Sequence, residues 1–243
     1  MKTDIAHTPK DTLIYAVGDI HGQCHLLDDL LEQIARDAQS FDEKKKVLIF
    51  VGDYVDRGPR SADVIKRLIE ELPDGFKSHC LLGNHEVILL NFLDQPELLG
   101  RWLSNGGEAT LASYGVRVPD DHTSLKAATR CRDAFAAALP KKHLNFLNKL
   151  ELHVSYGDYL FVHAGVRPGV KLKKQDPKDI VWIRSDFLDS SKDLGAVVIH
   201  GHTPGRDPVI RSNRIGIDTG AVAHGRLTAI RLRKKKRKFL SAV

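Results

Sequence analysis

Long apolar runs are missing from this chain: no stretch approaches the roughly 18 consecutive apolar residues that a membrane-spanning helix needs, so no span is expected. The opening MKTDIAHTPKD has no apolar core, which excludes the pattern of a secretory signal. Cysteine is scarce. Cys24, Cys80 and Cys131 are odd in number and show no CxxC spacing, which argues against a disulfide framework or a zinc knuckle and points to a reducing cytoplasm. A charge excess spread over the whole molecule is also lacking. The net charge is +6, but Arg231, Arg233, Lys234, Lys235, Lys236, Arg237 and Lys238 supply seven positive charges, and without them the remainder carries a single negative charge. The basic character belongs to residues 231–243, which read as a tail able to contact anionic partners or simply to solvate the end of the chain. No nucleic-acid function is expected from it.

What is present suits a soluble enzyme. The 243 residues, 42% hydrophobic and 28% charged, are enough for one large domain with a substantial core. Three segments repeat one plan: LIYAVGD (13–19), KVLIFVGD (46–53) and HCLLGN (79–84) are short apolar runs that end at glycine and a polar residue. A helical pattern follows each. Leu26, Leu27, Leu30, Leu31 and Ile34 recur at helical spacing after the first; Val64, Ile65, Leu68, Ile69 and Leu72 do so after the second, with Ser61 as N-cap. Strand, glycine turn and helix, repeated, predict a largely parallel sheet of the α/β class, in which ligands gather at the carboxyl ends of the strands. The polar residues of the three turns are therefore expected to meet in space. Residues 95–150, rich in helix formers, read as a helical insertion. ELHVSY, YLFVHAG, AVVIHGH, RIGID and LTAIRLR then predict a second, mainly antiparallel half.

The turns carry metal-binding chemistry. The first offers Asp19 and His21, the second Asp53 and Asp56 with Arg57 alongside, and the third Asn84 and His85. His163 in FVHAG and His200 and His202 in IHGHTPG stand at later strand ends. Each pair alone is ordinary loop chemistry. Together they make an oxygen and nitrogen set without sulfur, suited to manganese, iron or zinc. The set exceeds what one ion needs, so two ions sharing a carboxylate fit better, and Asp53, on the middle strand, is the natural bridge. Ions roughly 3.5–4 Å apart are a recurring device for phosphoryl chemistry, and the planar fork of arginine binds phosphate oxygens bidentately.

These residues carry a family resemblance. GDIHG, GDYVDRG and GNHE, in this order, resemble the three signature motifs of the phosphoprotein phosphatase family, and FVHAG and IHGHTPG extend the agreement. WLSNGG (102–107), VWIR (181–184) and IDTGAV (217–222) are similar to the bacterial and bacteriophage-lambda-type serine/threonine phosphatases. The resemblance implies a metallophosphoesterase-like central β-sandwich flanked by helices (αββα) over residues 1–230. It implies that Asp19, His21 and Asp53 hold one divalent ion and that Asp53, Asn84, His163 and His202 hold a second, manganese first, with iron or zinc as alternatives. It makes His85 the general acid, oriented by Asp56, and gives Arg57 and Arg184 the substrate phosphate. The implied reaction is hydrolysis of phosphoserine or phosphothreonine, with phosphotyrosine also in range, in a phosphorylated protein or peptide by direct attack of a hydroxide shared by the metals. No cysteine matches a nucleophile motif. Protonation of a serine alkoxide as it leaves gives the acid its use.

Other residues receive plainer expectations. His25 is expected on a helix surface and His153 in a structural place, while His224 is assigned to a hairpin rather than the pocket rim. Glu86 is expected to favour the positive end of its helix, and Trp102 with Asn105, Gly106 and Gly107 to shape a substrate groove. Two competing functions are carried. One is a symmetrical bis(5'-nucleosyl)-tetraphosphatase, disfavoured by the intact Val55-Asp56-Arg57-Gly58 element; the other is a catalytically silent phosphate-binding scaffold, disfavoured by the complete ligand set. Oligomeric state is not readable from the chain.

Overall fold

Strand β1 (Thr12–Val17) is buried on every residue, and its side chains alternate between two cores. Leu13, Tyr15 and Val17 face helices, whereas Ile14 and Ala16 face a second sheet. Fully burying a large apolar side chain contributes about 1.5–3 kcal/mol, so neither face of this strand tolerates exposure. Strands β2 (Lys45–Phe50) and β3 (Phe76–Cys80) join β1 in parallel, and helices α1 (Cys24–Ala38) and α2 (Ser61–Glu70) make the crossovers. Helix α1 buries Leu26, Leu27, Leu30, Leu31 and Ile34, the stripe expected from their spacing. The computed structural model describes residues 5–243; residues 1–4, part of the amino-terminal stretch read above, lie outside the described residues.

After helix α3 (Asn84–Asp94) the elements up to residue 147 are all helical, with a loop over 114–124: a short 3₁₀ turn, then α4 (Leu99–Leu103), α5 (Gly107–Ser113), α6 (Leu125–Ala138) and α7 (Lys141–Leu147). Phe92 of α3, Trp102 of α4 and Phe135 of α6 stack against one another, with ring centroids 4.8–6.4 Å apart. The second sheet holds β4 (His153–Tyr156), β5 (Tyr159–Val162), β6 (Val197–His200), β7 (Val209–Ile210) and β8 (Arg214–Gly216), in the order β4-β5-β6-β8-β7. Helices α8 (Pro177–Trp182) and α9 (Ser185–Leu188) cover its outer face through Ile180, Val181 and Phe187. The layers run helix, sheet, sheet, helix, the expected αββα sandwich.

Two expectations need correction. The second half is not mainly antiparallel: β5, β6 and β8 run parallel, and only the outer strands β4 and β7 reverse. Residues 231–243 are not a tail. After the one-turn helix α10 (Ala221–His224), strand β9 (Leu227–Arg233) and strand β10 (Lys236–Ala242) form a hairpin that completes the first sheet in the order β10-β9-β1-β2-β3. The charges hid the alternation. Leu232 points inward, while Arg231 turns outward to Asp37 at 2.8 Å and Arg233 pairs with Glu43, each partner being supplied by another part of the fold. Among the described residues, no helix is long and apolar enough to cross a membrane.

Candidate metal centre

The carboxyl ends of β1, β2, β5 and β6, together with the start of α3, converge on one edge of the sandwich. Backbone bonds fix the convergence: the amides of Ile20 and His21 donate to the Asp53 carbonyl at 3.1 and 2.9 Å, and the His202 amide donates to Asp19 Oδ2 at 2.8 Å. Seven non-glycine residues have positive φ among the described residues, and five of them are His21, Asp53, Asp56, Arg57 and His202. Such conformations are costly for L-residues, and their concentration in one place marks a site that the surrounding fold holds against strain.

Asp53 stands at the centre. Its Oδ2 lies 3.5 Å from His21 Nε2 and 4.0 Å from His85 Nε2, while its Oδ1 lies 3.4 Å from His163 Nε2. The two oxygens of one carboxylate thus face two separate groups of donors. The candidate ligand atoms of His21, Asp53 and His85 lie within 4.8 Å of one another, as do those of Asp53, His163 and His202. Asn84 joins the second group, with its Oδ1 3.0 Å from His163 Nε2. Burial opposes ionisation of Asp53, but the imidazoles of His163, His85 and His21 outweigh it and hold the carboxyl well below the usual range.

The histidines are aimed from behind. His21 Nδ1 donates to the Val55 carbonyl at 2.8 Å and His163 Nδ1 to the Val51 carbonyl at 2.9 Å, which leaves each Nε2 with a lone pair facing the cluster. Burial lowers the pKa of His21 to about 3 and that of His202 to about 2, and it lowers His163 as well, so the three are neutral donors at physiological pH. Arg57 reaches in from its loop, with a guanidinium nitrogen 2.7 Å from His21 Nε2. His200 turns away, its Nδ1 donating to the Gly201 carbonyl and its Nε2 facing Arg214 at 3.4 Å.

His85 behaves differently. Its Nδ1 donates to Asp56 Oδ2 at 2.7 Å; although burial opposes protonation, the charges of Asp53 and Asp56 raise its pKa above that of a free imidazole. Asp56 is itself gripped by the helical insertion. Trp102 Nε1 donates to its carboxylate at 3.0 and 3.1 Å, and Thr110 Oγ1 donates at 2.7 Å while accepting the Asp56 amide at 2.8 Å. The Arg57 amide donates to the Gly106 carbonyl at 3.0 Å. Gly106 has φ +93, and a Cβ there would lie 2.7 Å from Arg57 Cγ, so only glycine allows this approach. Trp102 therefore does not shape a groove: it is 0% exposed and holds Asp56 from beneath.

The residues fit divalent ions. Asp19 Oδ1 and His202 Nε2 are buried without a hydrogen-bond partner. Leaving such groups unsatisfied costs about 1–3 kcal/mol each, and a cation at each of the two donor groups would relieve them. A Cβ on Gly201 would lie 1.9 Å from Asp19 Oδ1, so the backbone leaves this oxygen clear. Burial, with the charges of Asp218 and Asp53, raises the Asp19 pKa, the condition a positive ion would reverse.

Sequence reasoning missed two contributors, Thr110 and Asp218, and saw part of a third, since Glu86 stands in the first turn of its helix as expected. Glu86 is fully buried and accepts the amides of Asp53, Tyr54 and Gly83 at 2.7–3.0 Å, tying the second turn to α3. Thr110 carried no motif signal, because its contact depends on how the insertion packs. Asp218 is buried near Asp19 and Asp53, and burial together with the Asp53 charge raises its pKa to about 6. Arg184 is exposed at the start of α9, near enough to His163 and His202 for its charge to depress their basicity further. His25 is exposed on α1 and His153 half-buried in β4; exposed His224 donates to the Thr219 carbonyl at 3.0 Å.

A model of the calcineurin-like phosphoesterase family matches residues 12–230. The chain is 29% identical to the bis(5'-nucleosyl)-tetraphosphatase PrpE [asymmetrical] of Anoxybacillus flavithermus, over 88% of each chain. It is 27% identical to serine/threonine-protein phosphatase 1 of Salmonella typhimurium, over 90% of this chain and 91% of the relative. Among solved structures, a protein provisionally assigned as a diadenosine tetraphosphatase superposes with a TM-score of 0.64 at 21% identity, covering 97% of this chain and 96% of that one.

Proposed function

The chain belongs to the calcineurin-like phosphoesterase family, a family of hydrolases, and we propose that within it this enzyme cleaves the polyphosphate bridge of a dinucleoside tetraphosphate at an asymmetrical position. The observation that carries the hydrolytic reading is Asp53, whose two oxygens address two donor groups. The substrate follows the names of relatives that align over most of the chain, such as the Anoxybacillus flavithermus enzyme. This order reverses the expectation that put a phosphopeptide first, and the relatives' names specify an asymmetrical cut where the sequence reading carried a symmetrical one.

Asp19, His21 and Asp53 would hold one ion, and Asp53, Asn84, His163 and His202 the other. When bound, such ions lower the pKa of water and neutralise charge on phosphoryl oxygens. The protein does the rest. Arg57 and Arg184 grip the phosphate oxygens, with Arg57 exchanging His21 for substrate. His85 presents its Nε2 proton to the departing oxygen, and Asp56, held by Trp102 and Thr110, keeps the ring in register. Free Cys24, Cys80 and Cys131 suit a cytoplasmic setting.

A second reading keeps the phosphoserine or phosphothreonine substrate. The fully built His85–Asp56 pair favours it, since an alkoxide needs a proton more than a leaving phosphate does, as does the name of the Salmonella typhimurium relative. With the manganese-loaded protein, we expect diadenosine tetraphosphate to give ATP and AMP with a higher kcat/KM than a phosphoserine peptide shows. A greater kcat/KM for the peptide would reverse the order of the two readings, and two equivalents of ADP would overturn the asymmetrical cut.

A further inference from the structure

Beside the metal centre lies a cavity of about 480 Å³ that the chemistry above leaves unused. Trp182 joins the two. Its indole stands edge-on to His202, with centroids 6.3 Å apart and planes at 83°, and it also lines the cavity. Leu82, Val87, Leu152 and Val181 make the walls apolar, while Asn91, Arg101 and Lys178 bring polar ends to the lining. None of the lining residues is acidic. The contrast is with a cavity of equal volume between α1 and α2, where Asp28, Glu32, Glu71 and Asp74 outnumber Arg67 and disfavour a polyphosphate.

We propose that the Trp182 cavity is a nucleoside subsite, in which a purine base of the substrate stacks on the indole with its edge toward Asn91. The proposal rests on the dinucleotide reading and adds the residues that recognise the base. An indole face is the surface on which nucleobases stack most readily, and stacking of this kind discriminates little among bases. An asparagine amide offers one acceptor and two donors, the complement of the adenine N6 and N7 edge. The Arg101 guanidinium lies over the indole at 5.8 Å from its centroid. Two stacked contacts of roughly 3.5 Å each require ~7 Å, so exposed Arg101 need move outward only slightly to sandwich a base. Arg101 and Lys178 also bring positive charge to the cavity lining, which favours an anionic substrate. Trp182, edge-on to His202 and lining the cavity, is what selects the occupant: it places the cavity next to the metal centre, within reach of the base of the same substrate.

Emission of the two tryptophans in the manganese-loaded protein tests this directly. ATP is expected to quench it and inorganic tripolyphosphate is not; Trp182→Leu should abolish the quench, since Trp102 is buried away from the cavity. Asn91→Leu and Arg101→Ala are expected to move the ATP midpoint upward roughly five- to tenfold, within the range that base stacking and edge contacts supply. In turnover, the ratio of KM for diadenosine tetraphosphate to KM for p-nitrophenyl phosphate should rise by a similar factor in Asn91→Leu and Trp182→Leu. Equal quenching by tripolyphosphate, or none by ATP, overturns the subsite. Brisk diadenosine tetraphosphate turnover with an unmoved KM ratio overturns the subsite and leaves the proposed function standing. ATP-specific quenching without tetraphosphate cleavage does the reverse. Selection of phosphopeptides with a bulky apolar neighbour, lost in Trp182→Leu, assigns the cavity to a peptide side chain and overturns both.

Discussion

His85 and Asn84 are neighbours with opposite relations to the cluster. The Nδ1 of His85 is committed to Asp56 at 2.7 Å, whereas the Asn84 side-chain oxygen faces His163. Replacing His85 with alanine is expected to lower kcat by about 10²–10⁴ while metal content, measured by elemental analysis, stays near two ions. Asn84→Ala should instead lose the second ion first, because a neutral amide ligand is gone and the acid is untouched. Equal metal loss in the two variants would contradict this division. Thr110→Val removes a donor to Asp56 that no motif announced. Outer partners of this kind are worth roughly 10–100-fold, so kcat should fall within that range with little change in KM, and Thr110→Ser should restore most of it. The alkaline limb expected in the pH dependence of kcat belongs to His85. Raised above a free imidazole, His85 stays protonated beyond pH ~6.5; its acid form is lost as pH rises through the higher folded value, and the limb it produces should vanish in His85→Ala.

At the scale of elements, the β9–β10 hairpin shows how charge can conceal a strand. Asp37 on α1 accepts Arg231 at 2.8 Å, Lys238 at 3.0 Å and the Tyr15 hydroxyl at 2.6 Å. Burial opposes its ionisation, but these three donors prevail and hold its pKa below the usual value. Asp37→Asn should therefore destabilise the protein by about 1–2 kcal/mol near neutral pH, a fall in Tm of roughly 3–6 °C for a chain of this size. Because the folded pKa is depressed, this contribution is present above the ordinary aspartate value of ~3.9 and is lost as pH falls through the lower folded one. The Tm difference between wild type and variant should accordingly shrink on acidification. A constant difference across that range would show that the hairpin is held by its strand pairing alone. The helical insertion has a similar lesson: its composition announced helices, but only packing brings Trp102 and Thr110 beneath Asp56.

For the molecule as a whole, the sandwich gathers buried carboxylates and imidazoles that no hydrogen-bond network fully satisfies. Ions that bind the folded chain alone stabilise it by mass action, about 2.7 kcal/mol at a hundredfold excess over Kd. Chelation is expected to lower Tm by roughly 5–10 °C as well as to abolish turnover, with manganese restoring both. Asp53→Asn should blunt the thermal response, since the carboxylate that addresses both donor groups is lost.

By itself, the sequence determined which residues could serve. Apolar runs buried on both faces and ending at glycine announce parallel strands, because a doubly covered strand has no polar positions to spare, and the turns that follow them hold Asp19, His21, Asp53, Asp56, Arg57, Asn84 and His85. Arg184 came from family likeness, since nothing in its spacing marks it. Tertiary structure decided what distance along the chain hides: that Trp102 and Thr110 of the insertion hold Asp56, that Glu86 ties the second turn to α3, and that a basic carboxyl terminus is a strand pair whose Arg231 and Lys238 meet Asp37 and whose Arg233 meets Glu43. Local pattern reports how a segment is buried; partners dozens of residues away depend on packing, and packing is a property of the folded chain.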